Sequence, residues 1–172
     1  RQFMKATGHL RFAGETNRGL VRARNEDNFF YVRRAGRPAL AMVADGIGGH
    51  RDGDVASFFC CRKLLTAWHD NAAVVCNTRS AHEFLERELQ KINRELNTTN
   101  RLRRGGGQPM GTTVTAAIFL DDEVICCHAG DSRMYRYNDA EGLIQVTQDH
   151  TLLRKLEESG RKMILPPAPE LE

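Results

Sequence analysis

No apolar run in this chain nears the roughly 18 residues that a membrane-spanning helix needs, and its first residues lack the apolar core of a signal peptide. Cysteine is scarce: Cys60, Cys61, Cys76, Cys126 and Cys127 are odd in number, two pairs are adjacent, and no C-x-x-C spacing occurs. That pattern argues against disulfides and structural zinc, and for reduced thiols. A large charge imbalance is missing as well. The 25 basic and 22 acidic residues leave a net +3, too even to imply nucleic acid or an anionic membrane as partner. The expectation is a soluble, cytoplasmic protein with neither of those partners.

What is present suits a folded domain. The 172 residues are 41% hydrophobic, enough for one globular domain with its own core, and no internal repeat is found. The chain opens at Arg1 and closes on LPPAPELE, whose prolines neither continue a helix nor join a central strand. Both ends are read as cut. The expected layout is one incomplete domain over 1–165, followed by a proline-rich or vector-derived tail over 166–172.

Two strands are predicted at NFFYV (Asn28 to Val32) and ALAMVAD (Ala39 to Asp45), joined through Gly36 and Pro38 as a hairpin. The helical spacing of Phe58, Cys61, Leu65 and Trp68 predicts a helix packed on that sheet. A second helix is expected from Ser80, with Glu83 closing a capping box and Leu85, Leu89, Ile92 and Leu96 as its apolar stripe. RLRRGGGQP (101–109) reads as a connection. From Thr112 the period turns to that of strands: TTVTAAIFL, EVICCHAG, RMYRY and LIQVT predict an antiparallel meander, broken at Asp121-Asp122, Gly130-Asp131 and NDAEG. A last helix is expected over 152–159, stopped by Gly160. Strands and helices in separate runs indicate an α+β layered domain, not a doubly wound parallel sheet.

Three stretches carry chemistry. NEDNFF places Glu26 and Asp27 directly ahead of an aromatic strand, where acids are disfavoured; alone, it reads as a solvated turn. VADGIGGH delivers Asp45 at the end of an apolar strand, with Gly46 next. A carboxylate on a rigid strand end suits a hard cation, and glycine lets its own carbonyl approach the same ion. The competing reading is a simple glycine turn capped by Asp45. A nucleotide loop is disfavoured, because DGIGGH has neither the Lys-Ser/Thr of a P-loop nor the G-x-G-x-x-G pattern. HAGDSRMYRY alone reads as an ordinary hairpin, with Asp131 bonding its own backbone in the turn. GTTVTAAIF reads as a core strand, with Thr112 and Thr113 structural; His50 and His128 are also read as structural.

The order GLVRARNED, VADGIGGHRDGDVAS, MGTTVTAAIF, HAGDSRMYRY and VTQDH resembles the PP2C-type metal-dependent serine/threonine protein phosphatases in their bacterial form, over nearly the whole chain to His150. The resemblance implies an antiparallel β-sandwich flanked by helices, with two Mg²⁺ or Mn²⁺ ions at one end. It implies that Asp45 bridges both ions, that the Gly46 carbonyl and the Glu26 carboxylate bind one of them, and that Asp27 acts through bound water. Asp131 would touch a further, weaker ion or brace its hairpin. Arg22 matches the phosphate-binding arginine, and its planar fork suits a phosphate dianion; outside the motif it is one of several surface arginines, with Arg18 and Arg24 nearby. The implied activity is hydrolysis of phosphoserine and phosphothreonine in proteins by a metal-activated water, with phosphorylated proteins as substrates and a serine/threonine kinase in opposition.

The chain departs from the family pattern twice. Ile47 follows Asp45-Gly46 where some eukaryotic members carry a histidine proposed as general acid. After His150 nothing matches two further family aspartates, and only Glu157, Glu158, Glu170 and Glu172 remain. The expectation is a C-terminally truncated phosphatase domain. The alternative is an inactive, phosphatase-like binding or regulatory module.

Overall fold

The computed structural model describes residues 10–33, 36–47, 52–103, 109–121 and 123–150. They divide into two units, the first ending at Ser132 and the second beginning at Arg133. In the first unit, β1 (Asp27–Val32) and β2 (Ala39–Ile47) form the expected antiparallel hairpin. Burial alternates along β2: Leu40, Met42 and Ala44 are at most 1% exposed, whereas Val43, Asp45 and Ile47 are open to water. One face of the strand therefore belongs to the core and the other does not.

Two helices cover the apolar face. Helix α1 (Gly53–Asn71) packs on β1 and β2, and α2 (Thr78–Leu102) packs on α1 and on β5 (Val124–Ala129). Leu40, Met42, Leu64, Trp68, Phe84, Leu85 and Ile118 make the centre of the core, with Trp68 and Phe84 meeting edge to face at 5.5 Å. The stripe expected on α1 holds at Cys61 and Trp68, which are buried, and fails at Phe58, which is 56% exposed; Gly53, Ala56, Ser57, Cys60 and Leu64 complete the buried face. Small side chains let this helix lie close to the strands, while the expectation counted the larger apolar residues.

Helix α2 starts two residues ahead of Ser80. Asn77 is the N-cap: its side chain accepts from the Ser80 N–H at 2.8 Å, and Ser80 Oγ accepts from the Asn77 N–H at 3.1 Å. Glu83 pairs with Arg79 instead of closing the box. Asn77→Ala is expected to cost about 1 kcal/mol, lowering the melting midpoint by about 2–4 °C in a chain of this size. Ser80→Ala, which removes the other half of the box, should act in the same direction. Unchanged midpoints for both variants in thermal denaturation would refute the cap.

The strand-rich half resolves into two sheets. β3 (Gly111–Thr112) and β4 (Val114–Phe119) both pair antiparallel with β2, and β4 pairs with β5, giving the order β1-β2-β4-β5 with β3 alongside β2. β6 (Tyr135–Asn138) and β7 (Gly142–Gln145) form a separate two-stranded sheet in the second unit. The expected single meander is thus broken after β5, where Gly130 takes a φ of 109° and ends the ladder. Within the second unit, Asn138 Oδ1 accepts from the N–H groups of Ala140 and Glu141 and closes the NDAEG turn, while Arg133 forks onto Asp149.

The α+β class, with antiparallel strands and helices in separate runs, is as expected. No helix among the described residues is long and apolar enough to cross a membrane. The helix expected over 152–159, the tail from 166, His50 and the glycines at 105–107 lie outside the described residues.

Candidate metal centre

The β1–β2 register decides which acids meet. Asp27 stands directly opposite Asp45, so the two carboxylates share the face of the hairpin turned away from the helices. Like charges in that position repel. Partial burial raises the Asp45 carboxyl above its ordinary range, the facing Asp27 raises it further by charge and by a side-chain hydrogen bond, and Asp131 adds to this; Arg22 acts in the opposite sense. Asp27, Asp45, Asp131 and Arg22 therefore occupy one electrostatic neighbourhood, although 109 residues of sequence separate the first from the last in Arg22 to Asp131.

Glu26 lies next to Gly46. The Gly46 N–H donates to the Glu26 carbonyl at 3.1 Å, which also accepts from Ser57 Oγ at 2.5 Å. Asn28 Nδ2 donates to Ser57 Oγ at 2.9 Å and fixes that hydroxyl. The backbone at Gly46 abuts Gly53, the first residue of α1: a Cβ on Gly46 would fall 2.1 Å from the Gly53 carbonyl oxygen. A Cβ on Gly53 would fall 2.9 Å from Glu26 Cδ, so the missing side chain makes room for that carboxylate at the start of the helix. The positive end of the helix dipole favours an anion there. Arg22 Nη1 reaches Glu26 Oε2 at 3.2 Å, with the arginine side chain 66% exposed and the glutamate 13%. The structure thus sets Asp27 opposite Asp45, within electrostatic reach of Asp131, and holds Glu26 against the Gly46–Gly53 backbone with Arg22 paired to it.

This donor set fits a hard divalent cation. Carboxylates and a strand-end carbonyl suit Mg²⁺ or Mn²⁺, which keep waters to complete their shells. Among the described residues no three His, Cys, Asp or Glu side chains close into a cluster on their own, so Gly46 and water would have to supply the remaining positions. Burial is the main cause that raises Asp45, and the crowding of negative charge that adds to it is what such an ion would relieve. The cysteines offer no competing nucleophile in the core: burial pushes Cys60 and Cys61 up to about 12, leaving both protonated at neutral pH.

Sequence reasoning read Thr112 and Thr113 as structural without seeing that they hold Asp45 in place. Thr113 N–H donates to the Asp45 carbonyl at 2.8 Å, Thr112 Oγ1 donates to the same carbonyl at 3.0 Å, and the Asp45 N–H donates to Thr113 Oγ1 at 3.0 Å. Two hydroxyls at the head of a strand were the available signal, but a lone sequence does not say which strand they face. Ser57 was visible as a small polar residue inside an apolar helical stripe.

The sequence profile of the family described as Protein phosphatase 2C matches residues 20–154. The chain is 35% identical over 147 residues to the serine/threonine phosphatase stp of Listeria innocua, covering 84% of this chain and 56% of that protein. It is 37% identical over 150 residues to the protein phosphatase PhpP of Streptococcus pneumoniae, covering 85% and 57%. The crystal structure of the serine/threonine phosphatase Stp1 from Staphylococcus aureus superposes with a TM-score of 0.75 at 28% identity, over 86% of this chain and 57% of that one. The chain spans a little over half the length of these relatives. With a profile match over most of its residues and the acids of its first hairpin set face to face, the chain belongs to the protein phosphatase 2C family.

Proposed function

We propose that this chain carries the cation- and phosphate-binding part of a Mg²⁺- or Mn²⁺-dependent protein phosphatase acting on phosphoserine and phosphothreonine. The observation that carries this reading is the register pairing of Asp27 with Asp45, at a strand end where Gly46 presents main chain and Arg22 stands exposed. Asp45 and Asp27 would hold the ions, with the Gly46 carbonyl, Glu26 and Asp131 as further oxygen donors. When bound, two such ions supply hydroxide near neutral pH and neutralise charge on the phosphoryl oxygens. Arg22 binds and orients the phosphate: its guanidinium is mostly in water, and its fork matches two phosphate oxygens. Glu26 keeps that guanidinium turned toward the acids until a phosphate arrives. Phosphoproteins are the substrates, and the kinases that phosphorylate them are the opposing partners. The odd number and adjacent spacing of the cysteines suit a reducing, cytoplasmic setting.

The test is hydrolysis of a phosphoserine peptide by the full-length protein. Turnover is expected with Mn²⁺ or Mg²⁺ and is expected to stop with a chelator. Arg22→Ala should raise KM by about 10–100-fold, the value of a hydrogen-bonded charge pair to phosphate. Mn²⁺ binding by calorimetry without turnover would instead support a second reading, a phosphatase-like binding module.

A further inference from the structure

We infer that Thr113 is a positioning residue that locks the Asp45 main chain to the Gly130–Asp131–Ser132 turn, so that the carboxylates of Asp45 and Asp131 face one cation. The inference rests on the reading of the Asp45 strand end as a cation site. Pairings of Val43 with Thr115 and of Gly46 with Thr112 belong to one continuous register, which sets Thr113 opposite Asp45. In a regular antiparallel ladder the two residues would exchange two main-chain hydrogen bonds. Only one is made here. Thr113 N–H donates to the Asp45 carbonyl, but the Asp45 N–H goes to the Thr113 hydroxyl, and the Thr113 carbonyl, 2.9 Å from Thr112 Oγ1, shares that one hydroxyl proton with the Asp45 carbonyl. This substitution separates β3 from β4.

The same hydroxyl reaches the turn after β5. Thr113 Oγ1 and Ser132 Oγ share a hydrogen bond of 2.7 Å, and Thr115 Oγ1 donates to the Ser132 carbonyl at 3.2 Å. The Thr113 methyl covers Gly130 so closely that a Cβ there would fall 2.6 Å from Thr113 Cγ2. Thr113 is 2% exposed, so neither contact is contested by water. One side chain thus touches both acid-bearing segments, through its oxygen and through its methyl. Only threonine has both groups in one branched side chain: valine keeps the shape without the acceptor, and serine keeps the oxygen without the methyl.

The experiment compares Thr113→Val and Thr113→Ser with the full-length wild-type protein, by Mn²⁺ calorimetry and by hydrogen exchange at the Asp45 amide. Thr113→Val is expected to weaken Mn²⁺ binding about tenfold or more, as loss of a ligand-orienting partner does, and to speed Asp45 exchange by a similar factor. Thr113→Ser should recover most of both. If Thr113→Val does not fold, Ser132→Ala cuts only the link to the turn: it should weaken Mn²⁺ binding several-fold while Asp45 stays protected. A folded Thr113→Val protein, or failing that Ser132→Ala, that binds Mn²⁺ as the wild type does overturns the proposal. A wild-type protein that takes up no Mn²⁺ at millimolar concentration overturns the cation reading and this proposal with it.

Discussion

Asp45→Asn should reduce Mn²⁺-dependent phosphoester hydrolysis by the full-length protein by about 10³-fold or more. An ion-held nucleophile contributes several kcal/mol, and each 1.36 kcal/mol is a factor of ten in rate. The same substitution should leave the metal-free protein at least as stable as the wild type. Asp45 faces Asp27 across the hairpin, and removing one of two opposed charges relieves repulsion worth a few tenths of a kcal/mol at a site open to water. The pH dependence gives an independent check. A carboxyl raised in the folded state, first by burial and then by Asp27, favours folding below its ordinary value, and that contribution is lost as pH climbs through the raised one. Acid titration of stability without metal should therefore show this loss in the wild type and not in Asp45→Asn. A variant that keeps full hydrolytic rate, or that loses stability, would contradict the facing-acid site.

Gly46→Ala should be the most damaging one-carbon change near the site. Its Cβ would lie 2.1 Å from the Gly53 carbonyl oxygen and 2.3 Å from the Gly53 carbonyl carbon, both fixed main-chain atoms at the start of α1. Strand and helix must separate to admit it. Overpacking of this kind costs about 1–3 kcal/mol, sometimes more, or a fall of several degrees in the melting midpoint. The Gly46 carbonyl moves with the strand, so Mn²⁺ affinity should fall in the same variant. Gly53→Ala offers the contrast. Two of its three nearest atoms are the tip of Glu26, which can swing aside, so it should be milder toward stability than Gly46→Ala while disturbing the Arg22–Glu26 pair. Thermal denaturation of both variants decides the order; equal midpoints would refute the main-chain contact at Gly46.

Local chemistry was readable where one residue type had one job. The apolar run from Ala39 to Ala44 announced a strand, and Gly36 with Pro38 announced the turn before it. The helices were visible, but the bearing of α1 was not, because Ala56, Ser57 and Cys60 carry little hydrophobic signal and still form its inner face. The cap of α2 was misplaced because Asn77 and Ser80 are both good caps, and only geometry shows that Ser80 serves as the third helical residue. Glu26, Asp27, Asp45 and Asp131 were chosen as acids at strand ends. Their grouping came from the family resemblance and not from the residues themselves, because it depends on a register, and register is a property of pairs of strands. The role of Thr113 was hidden for the same reason.

That dependence on register has a consequence for folding fidelity. If β1 and β2 slid by one residue, the side chain at position 45 would exchange faces with that of Ala44, pressing an ionised carboxylate into the hydrocarbon beneath α1. The acid proposed to hold the cation thereby also disfavours the misaligned pairing, because a carboxylate without a partner is costly to bury.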